Sequence, residues 1–153
     1  MKIEEKIEGL GLKLPEAPEP VANYVQAVRV GDLVFSAGQG PIVDGAPKYV
    51  GKVGEDLTME EGYEAAKIAA LNCLSAIKTV IDDLDKIDRI VKVSGFVNSA
   101  PGFTDQSKVM NGASDLLVKI FGDKGRHARG AIGSNELPLN NGVEIELIVK
   151  VKQ

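Results

Sequence analysis

The chain has no tryptophan, one histidine and one cysteine among its 153 residues, and each shortage removes a kind of chemistry. A single cysteine cannot close an internal disulfide, which suits a reducing compartment. One histidine and one cysteine cannot furnish the set of about four ligands that a structural zinc site uses, and no acidic stretch has calcium-loop spacing. No metal site is expected. Cationic charge is short as well: 18 Lys and Arg stand against 22 Asp and Glu, a net charge of -4. No basic run is interleaved with aromatics, so nucleic acid is a disfavoured partner. No apolar run approaches the roughly 20 residues of a membrane span, and Met1-Lys2-Ile3-Glu4-Glu5-Lys6-Ile7-Glu8 lacks the apolar stretch of a signal peptide. A cytoplasmic protein without membrane contact is expected.

What is present divides by period. Residues 1–22, with Gly9, Gly11, Pro15, Pro18 and Pro20, read as a brief helix and an extended lead-in to a single domain at 23–153. Tyr24–Val30 and Leu33–Ala37 read as strands around a Gly31-Asp32 turn. Residues 42–54 read as a loop, with an edge strand near 48–51. Thr58-Met59-Glu60-Glu61 has the form of a capping box. Beyond it Ala66, Ala70, Cys73, Leu74, Ile77, Val80, Ile81 and Leu84 recur at helical spacing, an apolar stripe with a polar back. Cys73 lies on that stripe and reads as a buried, inert thiol. Asp82-Asp83-Asp85 reads as a solvated acidic patch. Residues 89–98 alternate as a strand; Val109, Ala113, Leu116, Leu117, Ile120 and Phe121 describe a second helix stopped by Gly122. Two strands, about 127–133 and 143–151, close the chain as a hairpin. Hairpin, helix, strand, helix, hairpin is an α+β sandwich with both helices on one face of a mainly antiparallel sheet. Its other face would expose apolar surface, so a homo-oligomer is expected.

The most telling stretch is His127-Ala128-Arg129-Gly130-Ala131-Ile132. A guanidinium stays charged at any working pH and needs an anion or other acceptors when partly buried. Glu144 and Glu146 share one face of the last strand, so either could pair with Arg129; a ligand carboxylate is the other candidate. His127 shares strand parity with Arg129 and could titrate beside it or simply pack.

Several fragments resemble one family. They are Tyr24-Val25-Gln26-Ala27, Gly31-Asp32-Leu33-Val34-Phe35-Ser36-Ala37-Gly38-Gln39, Phe96-Val97, Ala128-Arg129, Leu137-Pro138 and Glu144-Ile145-Glu146. In order and spacing they resemble the RidA/YjgF reactive-intermediate deaminase superfamily, also labelled L-PSP endoribonuclease-like, in a divergent branch. The resemblance covers the chain from about Tyr24 to its end. It implies a chorismate-mutase-like fold of the bacillus type, a homotrimer, and ligand sites in the clefts between subunits. Arg129 then matches the arginine that grips the carboxylate of a 2-imino acid, and Glu144 matches the glutamate that assists the attacking water. By the same resemblance Tyr24 matches a tyrosine that lines the cleft, the backbone of Ala37, Gly38, Gly130 and Ala131 would shape it, and no metal or organic cofactor is required. A cleft asparagine of the family matches either Ser107 or Asn111. Where the family carries serine this chain has Ala37, with Ser36 beside it on the other strand face.

The expected function is hydrolytic deamination of 2-imino or enamine acids to 2-oxo acids and ammonium, with a small carboxylate metabolite as ligand. The alternative is a non-enzymatic oxo-acid binder of the same fold, favoured by the missing serine. A third reading, endoribonuclease, comes only from the family's label; the acidic charge and lone histidine oppose it.

Overall fold

The computed structural model describes residues 2–17, 19 and 22–153; Pro18 and Pro20, part of the expected lead-in, lie outside the described residues. In chain order the main elements are α1 (Lys2–Gly9), β1 (Ala27–Val30), β2 (Leu33–Ser36), β3 (Ile42–Val43), β4 (Ala46–Pro47), α2 (Met59–Ile81), β5 (Ile87–Asn98), α3 (Gln106–Phe121), β6 (Ala128–Ser134) and β7 (Val143–Val151). β1, β2, β5, β6 and β7 form one sheet in the order β1-β2-β7-β5-β6. All its neighbours are antiparallel except β5 and β6. α2 and α3 pack side by side on one face, so the expected α+β sandwich holds.

Local chemistry explains the boundaries. Val30 pairs with Leu33 around Gly31, whose φ of 62° suits a residue without a side chain. Thr58 opens α2 as its spacing predicts: its hydroxyl accepts from the Glu61 N–H at 3.1 Å, and the Glu61 carboxylate accepts from the Thr58 N–H at 3.0 Å. Two otherwise orphaned donors are thereby satisfied. Gly122, at φ 65°, ends α3. Between helices and sheet lie Ala66, Ala70, Leu74, Ile77, Met110 and Leu117 from one side and Val34, Val93, Val97, Ile145, Leu147 and Val149 from the other, all fully buried.

Four expectations are corrected. β6 and β7 are not a hairpin: β5 lies between them, parallel to β6 and antiparallel to β7. Parallel neighbours need a crossover, which α3 supplies, and residues 135–142 then pass over the end of β5 rather than turning tightly. The irregular segment pairs earlier than expected, as the β3–β4 ribbon around Asp44-Gly45, while Val50 only bridges to Asn141. α2 has no polar back over 69–77, which is buried throughout, and Val80 of its expected stripe is exposed. The outer side is covered by earlier chain: Ser75 donates to the Pro15 carbonyl, and the Asn72 side chain donates to the carbonyls of Gly40 at 2.9 Å and Ile42 at 3.0 Å. Leu12 and Leu14 of the same lead-in pack against the core, and Ile7 of α1 is fully buried. Finally, Asp85 is no idle surface charge, because its carboxylate accepts from the N–H groups of Lys2 and Ile3 and caps α1.

Candidate functional site

Arg129 leaves β6, an edge strand, on the helix side of the sheet. Its ladder partner is Val93, which is fully buried, and residues paired across strands share a face. There the Arg129 Nη1 donates to Asn111 Oδ1 at 2.9 Å and to Ser114 Oγ at 3.1 Å. These acceptors sit three residues apart on α3 and so on one helical face. Both are neutral. Among the described residues Arg129 makes no ion pair, so the expected pairing with Glu144 or Glu146 does not form. Of the two matches for the cleft asparagine, Asn111 is the one that meets Arg129; Ser107, a turn earlier, is exposed.

His127 joins the same cluster. Its Nδ1 faces the Gly125 carbonyl at 2.7 Å and its Nε2 faces Ser114 Oγ at 2.8 Å. A carbonyl can only accept, so Nδ1 carries the proton and Nε2 is left as an acceptor. Burial holds the imidazole pKa below its ordinary value and the Arg129 cation adds to this, against the opposing effect of the Gly125 carbonyl. The ring is therefore neutral at pH 7. Ser114 was not singled out in the sequence; a serine beside an apolar stripe reads as a solvated flank. Its one signal is the three-residue spacing from Asn111.

Glu144 lies on the opposite face. It alternates with buried Val143 and Ile145 on β7. Its ladder partner is Phe96, which is level with Ile132 of β6. Arg129 thus stands two strands across and three residues along from Glu144, about 10 Å in each direction at ordinary sheet spacings, with the sheet between them. One copy of the chain does not bring them together.

Glu144 is instead met by Gly38, next to Ala37, just past the end of β2. Phe35 pairs with Ile148 and Gln39 bridges to Ile145, so β2 carries one residue more than β7 across this stretch. That bulge turns Gly38 onto Glu144: a Cβ on Gly38 would stand 2.8 Å from Glu144 Oε2. Where the ladder is interrupted, the Leu147 N–H donates to Ser36 Oγ at 2.9 Å. Ser36 is buried in that role, on the same side of β2 as core residue Val34. Tyr24, half-exposed, precedes by two residues Gln26, whose carbonyl accepts from the Ala37 N–H at 2.7 Å. Gly130 points to the Glu144 face and Ala131 packs against the core beside Arg129. Cys73 is fully buried and its thiol is pushed up to about 12, chiefly by burial, so it is no nucleophile.

Burial also raises the Glu144 carboxyl above its usual pKa, and the neighbouring Glu146 carboxylate adds to the shift. A carboxyl with a raised folded-state pKa stabilises the fold below the ordinary glutamate value of about 4.3 and loses that contribution as pH rises through the raised value. Glu144→Gln is therefore expected to raise Tm at neutral pH and to change it little in acid, as read by calorimetry. A lower Tm at neutral pH would contradict this.

Two helices on one face of a mostly antiparallel sheet, with an arginine at its free edge and a glutamate on its uncovered face, define an α+β sandwich with two separate polar half-sites. The model of the YjgF/chorismate mutase-like, putative endoribonuclease family matches residues 4–151, and the chain belongs to that family. Protein TCP17 of Trypanosoma cruzi is 42% identical over 151 residues, covering 98% of this chain and 94% of that protein. A 2-iminobutanoate/2-iminopropanoate deaminase of Dermatophagoides farinae is 29% identical over 143 residues, covering 92% and 95%. The crystal structure of Atu1372 from Agrobacterium tumefaciens, a protein of unknown function, matches with a TM-score of 0.93 at 41% identity, covering 99% of this chain and 93% of that one. No helix among the described residues is long and apolar enough to cross a membrane.

Proposed function

We propose that this protein hydrolyses 2-imino or enamine acids to 2-oxo acids and ammonium, in clefts formed between copies of the chain in a homotrimer. The observation that carries this reading is Arg129, a cation held in place by two neutral acceptors and, among the described residues, paired with no carboxylate. A substrate carboxylate supplies the missing charge through a charge-assisted pair. Glu144 of a neighbouring copy accepts a proton from water as the oxygen adds to the imine carbon, and Gly38 leaves that carboxylate open. Glu144 returns that proton to the nitrogen, and the aminoalcohol then collapses: the C–N bond breaks, the hydroxyl oxygen becomes the C=O as its proton passes to the departing nitrogen, and ammonia leaves to become ammonium in solvent. An enamine first tautomerises to the imine. Val28, Val30, Phe35 and Ile132 are exposed on the Glu144 face, and their burial favours the association that the shared cleft requires.

The test generates 2-imino acids with an amino-acid oxidase and traps the survivors with semicarbazide. Wild type is expected to hasten imine loss, and Arg129→Ala to lower kcat/KM by about a hundredfold, the order of a lost charge-assisted pair. No acceleration by wild type on aliphatic, aromatic and acidic imines would overturn the enzyme reading. One observation favours a second reading, a carboxylate binder: Ser36 is committed to the Leu147 N–H and supplies no cleft hydroxyl. Such a protein would gain Tm with an oxo acid and leave imine decay unchanged.

A further inference from the structure

His127 takes no part in the chemistry just described, yet it is the chain's one histidine and ends a continuous run of hydrogen bonds. From the Gly125 carbonyl to Nδ1 is 2.7 Å, from Nε2 to Ser114 Oγ 2.8 Å, and from Ser114 Oγ to Arg129 Nη1 3.1 Å. Direction in this run is set at one end. The carbonyl forces the proton onto Nδ1, so Nε2 accepts the Ser114 hydroxyl proton, and the serine oxygen then offers its lone pairs to Arg129. With Nε2 as a donor instead, the hydroxyl would be free to turn its proton toward the guanidinium.

The guanidinium is consequently held by one end. It has five N–H donors in a rigid fork; the two on Nη1 go to Asn111 and Ser114. What remains is the edge formed by Nε and Nη2, which fits the two oxygens of a carboxylate. We infer that His127 is a positioning residue that acts through Ser114 to hold Arg129 by Nη1 and present its Nε–Nη2 edge to the ligand carboxylate. This rests on the carboxylate role proposed for Arg129.

The neighbourhood leaves this role to His127. In the preceding turn Asp123 pairs with Arg126 at 3.6 Å and Lys124 with Asp88 at 3.4 Å, and the Arg89 guanidinium donates to the Arg126 carbonyl. On α3 Asp115 accepts from the Tyr63 hydroxyl. None of these charged groups meets Ser114 or the ring.

The test is a double-mutant cycle on 2-iminopropanoate hydrolysis, with pyruvate binding followed by calorimetry. His127→Ala and Ser114→Ala are each expected to raise KM and the pyruvate Kd by about tenfold with kcat nearly unchanged, the order of one lost hydrogen bond to a charged group. The double variant should be no worse than either single one, because the histidine acts only through the serine. His127→Gln, whose amide oxygen can accept from Ser114, should restore most of the loss. Nitrogen NMR on the single imidazole should show the proton on Nδ1, with the ring signals moving in Ser114→Ala. Additive effects, a loss in kcat alone, or a proton on Nε2 would overturn the relay. A wild type that ignores both imines and pyruvate while keeping the Nδ1 proton has a different meaning: it defeats the carboxylate reading of Arg129, and the orientation argument falls with it.

Discussion

An equimolar mixture of Arg129→Ala and Glu144→Gln chains, co-assembled from the unfolded state, is expected to recover about a quarter of the wild-type imine hydrolysis rate. Each variant alone is expected to retain on the order of a hundredth or less, the usual loss when a clamp or a general base is removed. The recovery follows from geometry. Arg129 is on the helix side of the edge strand and Glu144 on the uncovered face two strands away, so a cleft that uses both takes them from different copies. Each such cleft draws its arginine from one chain and its glutamate from the next, and each draw is intact about half the time in a cyclic assembly of any size. If both residues served one cleft from a single copy, every cleft in the mixture would lack one of them. A mixture no faster than its components would therefore sink the shared-cleft arrangement, provided the two chains are shown by differential tags to sit in the same particles.

The largest effect on stability is expected from Gly112→Ala. At this position α3 crosses α2 with almost no space: a Cβ would fall inside the Tyr63 carbonyl oxygen and stand 2.8 Å from its carbon and 3.2 Å from its Cα. These are backbone atoms of a 23-residue helix with its capping box in place, so no side chain can swing aside. A Cβ on Gly62 of α2 would stand 3.1 Å from a Val109 methyl of α3, so the same crossing is tight from both sides. Alanine gains about 1 kcal/mol of helix propensity over glycine, but forcing the helices apart costs about 3 kcal/mol, the upper end of the usual range for overpacked sites. A net loss of Tm is the expected result, read by thermal and urea unfolding; an unchanged or higher Tm would show that the helices can separate freely. Because Asn111 and Ser114 flank Gly112, the same substitution should also weaken pyruvate binding at Arg129.

How far the sequence carried these conclusions depends on the kind of information each needed. Turn and cap chemistry is local, so the Gly31-Asp32 hairpin, the Thr58 capping box and the Gly122 stop were all legible. Strand parity is local too, and it correctly put Arg129 with His127 and Ala131, and Glu144 with Glu146. What parity cannot supply is the relation between faces of different strands. Taking β6 and β7 as neighbours set Arg129 beside the glutamates, whereas β5 lies between them and the two side chains leave the sheet in opposite directions. The burial of the outer side of α2 was hidden for a related reason. Its cover includes Pro15, Gly40 and Ile42, far away in sequence. Ser114 was missed because its role exists only once α3 is laid against β6.

The order β1-β2-β7-β5-β6 also has a temporal side. The strand between the two halves of the sheet, β7, comes later in the chain than every element it touches. Until it arrives, the β1–β2 hairpin has no neighbour on its Val34 edge and β5 has one open side, so two half-sheets wait with unpaired backbone while α2 and α3 are already complete. Joining them is a long-range step that local structure cannot bring forward. A ribosome releasing this chain therefore exposes two sticky edges for the time it takes to make the last strand, and chaperone protection would matter most in that interval.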